Sequence, residues 1–198
     1  MADADSHIGA IIAQLASADA VKREQAARTL FRLGCAKAEP VLRNWFADSE
    51  FRALARSGSS LLTVGVAAHP TLFEKIRGAF GSVRLADAPA DQDVIEFELE
   101  FANSVRLDIL TTRDPDGNGA ISTFLKRFGE GIQQIECDVR DVVRATELLK
   151  MRFGLQPVYS ETHAGANNTR VNFFLAPASE NQKVLIELVE VPQKQKRR

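Results

Sequence analysis

Apolar and polar positions in the C-terminal third of the chain follow a strand, helix, strand pattern. Four apolar residues lie among polar neighbours, as in a half-buried strand: Ile132, Ile135, Cys137 and Val139. Apolar residues at helical spacing then run from Val142 to Phe153, and Gly154 suits the end of that helix. Val158 and Tyr159 suggest a third element, and two β-rich runs follow at 171–175 and 184–191.

The same order of elements occurs earlier in the chain. A strand pattern, a helix pattern and a hairpin pattern follow one another over 61–67, 71–80, 94–101 and 105–111. Two βαβββ modules therefore occupy 61–113 and 129–191, and a linker helix at 120–128 joins them. We expect an α+β fold over residues 61–191, in which the modules form an eight-stranded cup whose inward side chains line a cavity.

Residues 1–60 carry a purely helical pattern instead. A stripe of Ile8, Ile11, Ile12 and Leu15 predicts one helix, and further amphipathic helices are expected over 21–33, 40–46 and 51–54. The stretch 7–56 resembles a HEAT-type helical repeat, of which only about a repeat and a half is present. We expect this segment to dock on the cup, on a second copy of the chain or on a protein partner, with the boundary at 57–60.

Three stretches of the cup resemble a known family: GEGIQQI (129–135), NTRVNFF (168–174) and VLIEL (184–188). They are similar to the glycine-led strand, the hairpin and the glutamate-bearing last strand of the vicinal oxygen chelate superfamily. That superfamily contains glyoxalase and the bleomycin resistance proteins, and the likeness is greatest to its methylmalonyl-CoA epimerase branch. The resemblance covers 61–191 and implies a cup that handles a small molecule.

The resemblance also implies a metal site. The family's four ligand positions match Thr63, Asp108, Gln134 and Glu187, and the epimerases usually have histidine where Thr63 and Gln134 stand. Such an all-oxygen set implies magnesium or manganese rather than zinc, or else a site without metal. Alternatively, Thr63 and Gln134 only satisfy hydrogen bonds in a polar pocket.

A catalytic pair is a further implication of the resemblance. Glu96 and Glu187 match two carboxylates that move a proton in some epimerases, which requires burial or mutual charge to raise a pKa. Alternatively, Glu96 is an exposed strand residue in the alternating series Glu96, Glu98 and Glu100. No further substrate-binding residue is predicted. The loop 114–122 resembles the start of a calcium-binding loop, but Leu125 replaces its closing glutamate, so a turn is expected.

Composition limits the classes of protein that remain. The formal net charge of -1 argues against general nucleic-acid affinity, and no apolar run approaches the length of a membrane span. The N-terminus MADADSH lacks the pattern of a signal peptide, so a cytoplasmic protein with two free thiols, Cys35 and Cys137, is expected. The basic residues 192–198 are predicted to be a solvated tail.

Two functions remain open. One is a small-molecule-binding protein of epimerase or lyase ancestry with an impaired metal site, whose ligand is a small organic acid, a thioester or a similar molecule. The other is an active lyase, isomerase or epimerase. Such an enzyme would use either a hard divalent cation or the pair of Glu96 and Glu187.

Overall fold

A computed structural model describes residues 2–56, 61–180 and 182–191. The helices are α1 (Ala2–Gln14), α2 (Ala20–Ala47), α3 (Ser49–Leu54), α4 (Pro70–Ala79), α5 (Ala120–Phe128) and α6 (Val142–Phe153). The strands are β1 (Leu62–Ala67), β2 (Ile95–Phe101), β3 (Val105–Thr111), β4 (Gly131–Val139), β5 (His163–Ala164), β6 (Arg170–Ser179) and β7 (Gln182–Glu190). The boundary predicted at 57–60 and the tail predicted at 192–198 lie outside the described residues.

The strands form one mixed sheet in the order β2-β3-β1-β4-β7-β6-β5. The two modules meet in the middle of the sheet, where β1 and β4 pair antiparallel. Within each module the first and last strands pair in parallel, β1 with β3 and β4 with β7. This internal symmetry matches the two copies predicted from the hydrophobic pattern, and it brings the last strand of each copy near the centre.

The described residues form seven strands rather than the eight that we expected. In the first module the chain between α4 and β2 runs as a loop, since it contains Pro89 and several aspartates, which are poor strand formers. In the second module Val158 and Tyr159 form no strand, although the neighbouring Pro157 makes an isolated bridge to Phe174. The short β5 takes the fourth place in that module instead.

The N-terminal segment differs from its predicted form. The helices expected over 21–33 and 40–46 are one helix, α2, which continues through Pro40. Proline removes one backbone hydrogen bond from a helix interior, but the apolar stripe continues past it, because Val41, Leu42 and Trp45 are all buried. The structure does not confirm a HEAT-type arrangement, since a single long helix packs across the sheet in its place.

Helix α2 packs on the convex face of the sheet and contacts β1, β3, β4, β6 and β7. Trp45 meets Phe174 of β6 edge to face, with ring centroids 6.1 Å apart. Further along the segment, Arg144 and Arg152 of α6 form ion pairs with Glu50, and Arg152 also pairs with Asp48. The prediction that the segment docks on the cup is therefore confirmed for its described residues, which share one hydrophobic core with the sheet.

Among the described residues, no helix combines the length and the apolar character needed to cross a membrane.

Candidate functional site

A cavity of about 970 Å³ opens on the concave face of the sheet, opposite α2. Its floor comes from the central strands of both modules, and its rim comes from the loops that precede β2 and β5. The volume lies in the range that holds a drug-sized organic molecule. The side chains that line it are the candidates for function.

Cross-strand pairs arrange the floor in two rows, because side chains of paired residues project to the same face of a sheet. One row runs from β6 to β1 through Phe173, Glu187, Glu136 and Thr63. The other row runs from β2 to β4 through Glu98, Asp108, Gly65 and Gln134. All four predicted metal ligands therefore lie in these two adjacent rows, although Thr63 is not part of the cavity lining.

A hydrogen bond links two of the predicted ligands. The Gln134 amide donates from Nε2 to Glu187 Oε2 at 2.6 Å, and both residues are buried. A β-bulge between Gly65 and Val66 on the β1–β4 pair places Gln133 and Gln134 together in the lining. Gly65 is required opposite the glutamine, since a Cβ there would lie 2.5 Å from Gln134 Cγ.

One arginine neutralises part of the acidic floor. Arg106 of β3 pairs through Nε with Glu98 at 2.5 Å and through Nη1 with Asp138 at 3.3 Å. Sequence reasoning named none of these three residues as part of the site.

The remaining carboxylates at the floor raise one another's pKa. Burial is the main cause of a well raised pKa at Asp108, followed by the charges of Glu96, Glu136 and Glu187. Burial and the charges of Glu136 and Glu96 raise the pKa of Glu187 well above its usual range in the same way. Burial raises the pKa of Glu96 to about 7.

Glu136 extends this cluster. Its pKa is raised to about 8, first by burial and then by the charges of Glu96 and Glu98, against which Arg106 acts. Its Oε1 atom is buried without a hydrogen-bond partner among the described residues. The strand pattern could have revealed Glu136 and Asp138, since they lie two and four positions after Gln134 and so share its face.

The wall beside β6 is apolar and aromatic. Tyr159 meets Phe173 edge to face with ring centroids 5.9 Å apart, and its ring lies 4.3 Å from that of His163. Val171 and Leu185 complete this side of the cavity. The cavity therefore has an acidic floor and an aromatic wall, which meet where Phe173 pairs with Glu187.

Two rim loops, one from each module, join across the mouth of the cavity. The Asn167 amide donates to the Asp87 carbonyl at 2.9 Å, and the Asp87 amide donates to Asn167 Oδ1 at 3.1 Å. Gln92 Nε2 donates to the Ala164 carbonyl at 2.8 Å. We call this pair of loops, residues 84–93 and 159–169, the clasp.

Two of the four predicted metal ligands, Gln134 and Thr63, have surroundings that differ from those of a ligand facing the cavity. Gln134 turns a donor group, not a ligand oxygen, toward Glu187, and the Thr63 hydroxyl is buried outside the cavity lining. Within the part of the chain that the structure describes, no cluster of three or more histidine, cysteine, aspartate or glutamate side chains is arranged to hold a metal ion. The loop 114–122 is likewise occupied by a side chain, because Lys126 Nζ donates to the carbonyls of Asp116 and Gly117.

The predicted catalytic residues both line the cavity. Glu187 lies on the floor, and Glu96 is half-buried in the wall that β2 forms. Glu100, further along the same face of β2, is exposed and is not among the lining residues. The alternative prediction, that the residue is an exposed strand residue without a role in the site, therefore describes Glu100 better than Glu96.

Two βαβ-type modules that share one sheet around one cavity define a cup of the vicinal oxygen chelate fold. Solved structures of methylmalonyl-CoA epimerases have this architecture. The epimerase from Mycobacterium tuberculosis is 28% identical with a TM-score of 0.55, over 70% of this chain and 95% of that one. The epimerase from Streptomyces coelicolor in complex with 2-nitronate-propionyl-CoA is 22% identical with a TM-score of 0.53, over 69% and 100%.

A hypothetical protein from Bacillus halodurans is also similar, at 24% identity and a TM-score of 0.53 over 67% of this chain and 94% of that one. No protein family model and no curated protein matches the chain.

Proposed function

We propose that this protein binds a small organic molecule in the cup and does so without a transition metal. The observation that carries the proposal is the cavity of about 970 Å³ between the modules, with polar side chains converging on one floor. The S. coelicolor epimerase, whose fold is similar, is in complex with 2-nitronate-propionyl-CoA. A cytoplasmic location, consistent with the free thiols of Cys35 and Cys137, is part of this proposal.

A thermal-shift screen with small molecules of different charge tests ligand binding directly. Leu185→Trp narrows the cavity from its apolar wall and should abolish every shift that the unmodified protein shows. Glu100→Gln changes one exposed carboxylate outside the lining and should leave those shifts unchanged. A compound that stabilises the protein and Leu185→Trp equally would bind elsewhere and would contradict the proposal.

The impaired metal site is a separate part of the proposal. Because imidazole is missing from the ligand positions, zinc, cobalt and nickel lack their preferred donors. If any divalent ion binds, Glu187 and Asp108 favour magnesium or manganese. The melting temperature of metal-stripped protein should not rise with zinc, and a rise with magnesium that Glu187→Ala abolishes would instead support the hard-cation alternative.

Proton transfer is a second candidate function, and the raised pKa values of Glu96 and Glu187 favour it. A carboxylate whose pKa lies near neutrality can remove a proton and return it. With a thioester such as methylmalonyl-CoA in deuterated water, an active enzyme would place deuterium at the α carbon. Loss of that exchange in Glu96→Gln and Glu187→Gln, but not in Glu100→Gln, would establish an epimerase-type reaction.

A further inference from the structure

The charges that line the cup are strongly unbalanced. Eight carboxylates line the cavity, against two arginines, Arg84 and Arg106. Arg106 is engaged by Glu98 and Asp138, and Arg84 is an exposed residue of the rim. For Asp108, Glu96 and Glu187, which also line the cavity, the structure gives no ion pair with a described cation, and burial is the largest influence on the pKa of each.

One carboxylate at the floor and one hydroxyl beside it are buried. Asp108 is only 8% exposed, it lines the cavity, and its carboxylate lies near enough to those of Glu96, Glu136 and Glu187 for their charges to raise its pKa. Thr63, which is 1% exposed, has a hydroxyl with no partner among the described residues, and its pairing with Glu136 places it on the cavity side of β1. A buried carboxylate is costly unless a positive or donor group compensates it, so the floor is built for a group that a ligand brings.

The aromatic wall is an independent observation that indicates the kind of ligand. Tyr159 and Phe173 present a ring pair at 5.9 Å beside Glu187. Aromatic faces next to carboxylates are how proteins recognise ammonium groups that carry apolar substituents, since the rings attract the charge and cover the carbon atoms. A bare metal ion makes no use of such a wall.

We infer that the cup binds an organic cation, a substituted or quaternary amine whose charged nitrogen lies over Asp108 and Glu187 and whose apolar part contacts Tyr159 and Phe173. This inference rests on the proposed function and names the ligand class for the same cavity. It replaces the small organic acid expected from the sequence, because an anion would meet the uncompensated carboxylates of the floor. The resemblance to the epimerases thus extends to the cup but not to the charge of its ligand.

The test uses the single tyrosine of the chain. Incorporation of 3-fluorotyrosine gives one ¹⁹F resonance, from Tyr159 in the cavity wall, and titration at constant ionic strength reports binding there. Choline is the probe, and 3,3-dimethylbutan-1-ol, in which carbon replaces the charged nitrogen, is its neutral match. Choline should bind at least about tenfold more tightly, since a desolvated cation near an aromatic face gains on that scale.

Variants assign the effect to the floor and the wall. Asp108→Asn and Glu187→Gln each replace a carboxyl group that can ionise against a bound cation by a neutral amide of the same shape, and each should weaken choline binding about tenfold or more. Glu100→Gln, on the exposed end of β2, should leave it unchanged. Phe173→Leu keeps the wall apolar but removes the ring. It should therefore weaken the binding of choline more than the binding of 3,3-dimethylbutan-1-ol.

Each further outcome decides the matter. Equal binding of the two matched probes, or unchanged choline binding in both floor variants, would overturn the inference. Magnesium chloride that shifts the resonance while choline does not would assign the floor to a metal. If propionyl-CoA shifts the resonance and choline does not, the cup binds small molecules but its ligand is not a cation. If none of these compounds shifts the resonance, both the inference and the proposed function are refuted.

Discussion

At the scale of single residues, the cup is organised around carboxylates that are destabilised in the free protein. Arg106 forms its ion pairs with Glu98 and Asp138, and its charge only partly offsets the raised pKa of Glu136. Folded structures keep such groups where a ligand or a reaction uses them. The free energy that the folded protein loses when these carboxylates ionise should be measurable as a dependence of stability on pH.

Glu136→Gln should stabilise the protein at alkaline pH. The pKa of Glu136 is about 8 in the folded protein against an ordinary value of 4.5, so its protonated form is favoured by folding. That contribution is complete below about pH 4.5 and is lost as the pH rises through 8. Glutamine cannot ionise, so the variant should exceed the unmodified protein by about 4 kcal/mol in unfolding free energy at pH 8 and match it near pH 4.

Urea denaturation at a series of pH values measures this difference. Four charged groups act on Glu136 and are kept in the variant: Glu96, Glu98, Arg106 and Asp138. Glu100→Gln is the matched control, and its unfolding free energy should not diverge from that of the unmodified protein as the pH rises. A Glu136→Gln variant that is less stable than the unmodified protein at pH 8 would mean that the carboxylate has a stabilising partner.

The sequence predicted part of the floor and missed the rest for a definite reason. Asp108, Gln134 and Glu187 were predicted from the resemblance to the vicinal oxygen chelate superfamily, whose ligand positions they match, and all three line the cavity. Arg106 and Tyr159 could not be found in that way, since their positions depend on cross-strand register and on a loop. Glu136 was not predicted, because strand alternation places it on the same face as Gln134 but does not separate a cavity face from a solvent face.

At the scale of elements, helix α2 lies unusually close to the junction of the modules. Gly34 is buried in the middle of α2, and a Cβ there would lie 2.7 Å from both γ carbons of Val64 in β1 and 3.0 Å from Ile135 Cδ1 in β4. Glycine is ordinarily unfavourable inside a helix, so its presence here reflects the close approach.

Gly34→Ala should destabilise the protein by about 1 to 3 kcal/mol, because an added methyl group overpacks the junction. Gly78→Ala makes the same change in α4, where nothing lies within 4 Å of the new Cβ. That control should gain about 0.5 to 1 kcal/mol from helix propensity. Chemical denaturation measures the change in unfolding free energy of each variant, which should be negative for Gly34→Ala and positive for Gly78→Ala. A Gly34→Ala variant that is more stable than the unmodified protein would contradict the packing of α2 on the sheet.

The clasp is held by exposed hydrogen bonds and should open easily. Asn167→Gly removes the side chain that accepts from the Asp87 amide and keeps the positive φ of 53° available. Hydrogen–deuterium exchange at the Asp87 amide should become several-fold faster. Asn168→Gly, at a neighbouring positive φ of 65°, is the matched control, and equal acceleration in both variants would argue against the clasp.

Hydrophobic periodicity predicted the order of helices and strands well, but not their continuity. Pro40 suggested an interruption in the N-terminal segment, and the burial of Leu42 and Trp45 against the cup outweighs it. The loop that precedes β2 has no strong strand pattern, so the sequence did not predict its place at the cavity rim. In the structure the Ala86 amide donates to the Glu96 carbonyl, which holds this loop beside β2. In both cases tertiary packing decided what local pattern left open.

At the scale of the whole molecule, we retain the division into a helical segment (1–60), a cup (61–191) and a tail (192–198) as a prediction. Deletion of residues 1–60 would expose the convex face where Trp45 contacts Phe174. The remaining cup should then melt earlier or aggregate, because a large apolar surface meets water. Calorimetry and light scattering measure this, and an equally stable monomeric cup together with an independently folded 1–60 fragment would contradict it.

If the cup binds an organic ligand without a transition metal, native mass spectrometry should show this most directly. The protein is purified without chelators and sprayed under conditions that keep bound groups. We expect the mass of the polypeptide, alone or with an organic adduct that Leu185→Trp removes, and no bound zinc, cobalt or nickel. One such metal per chain that disappears in Glu187→Gln would contradict this expectation.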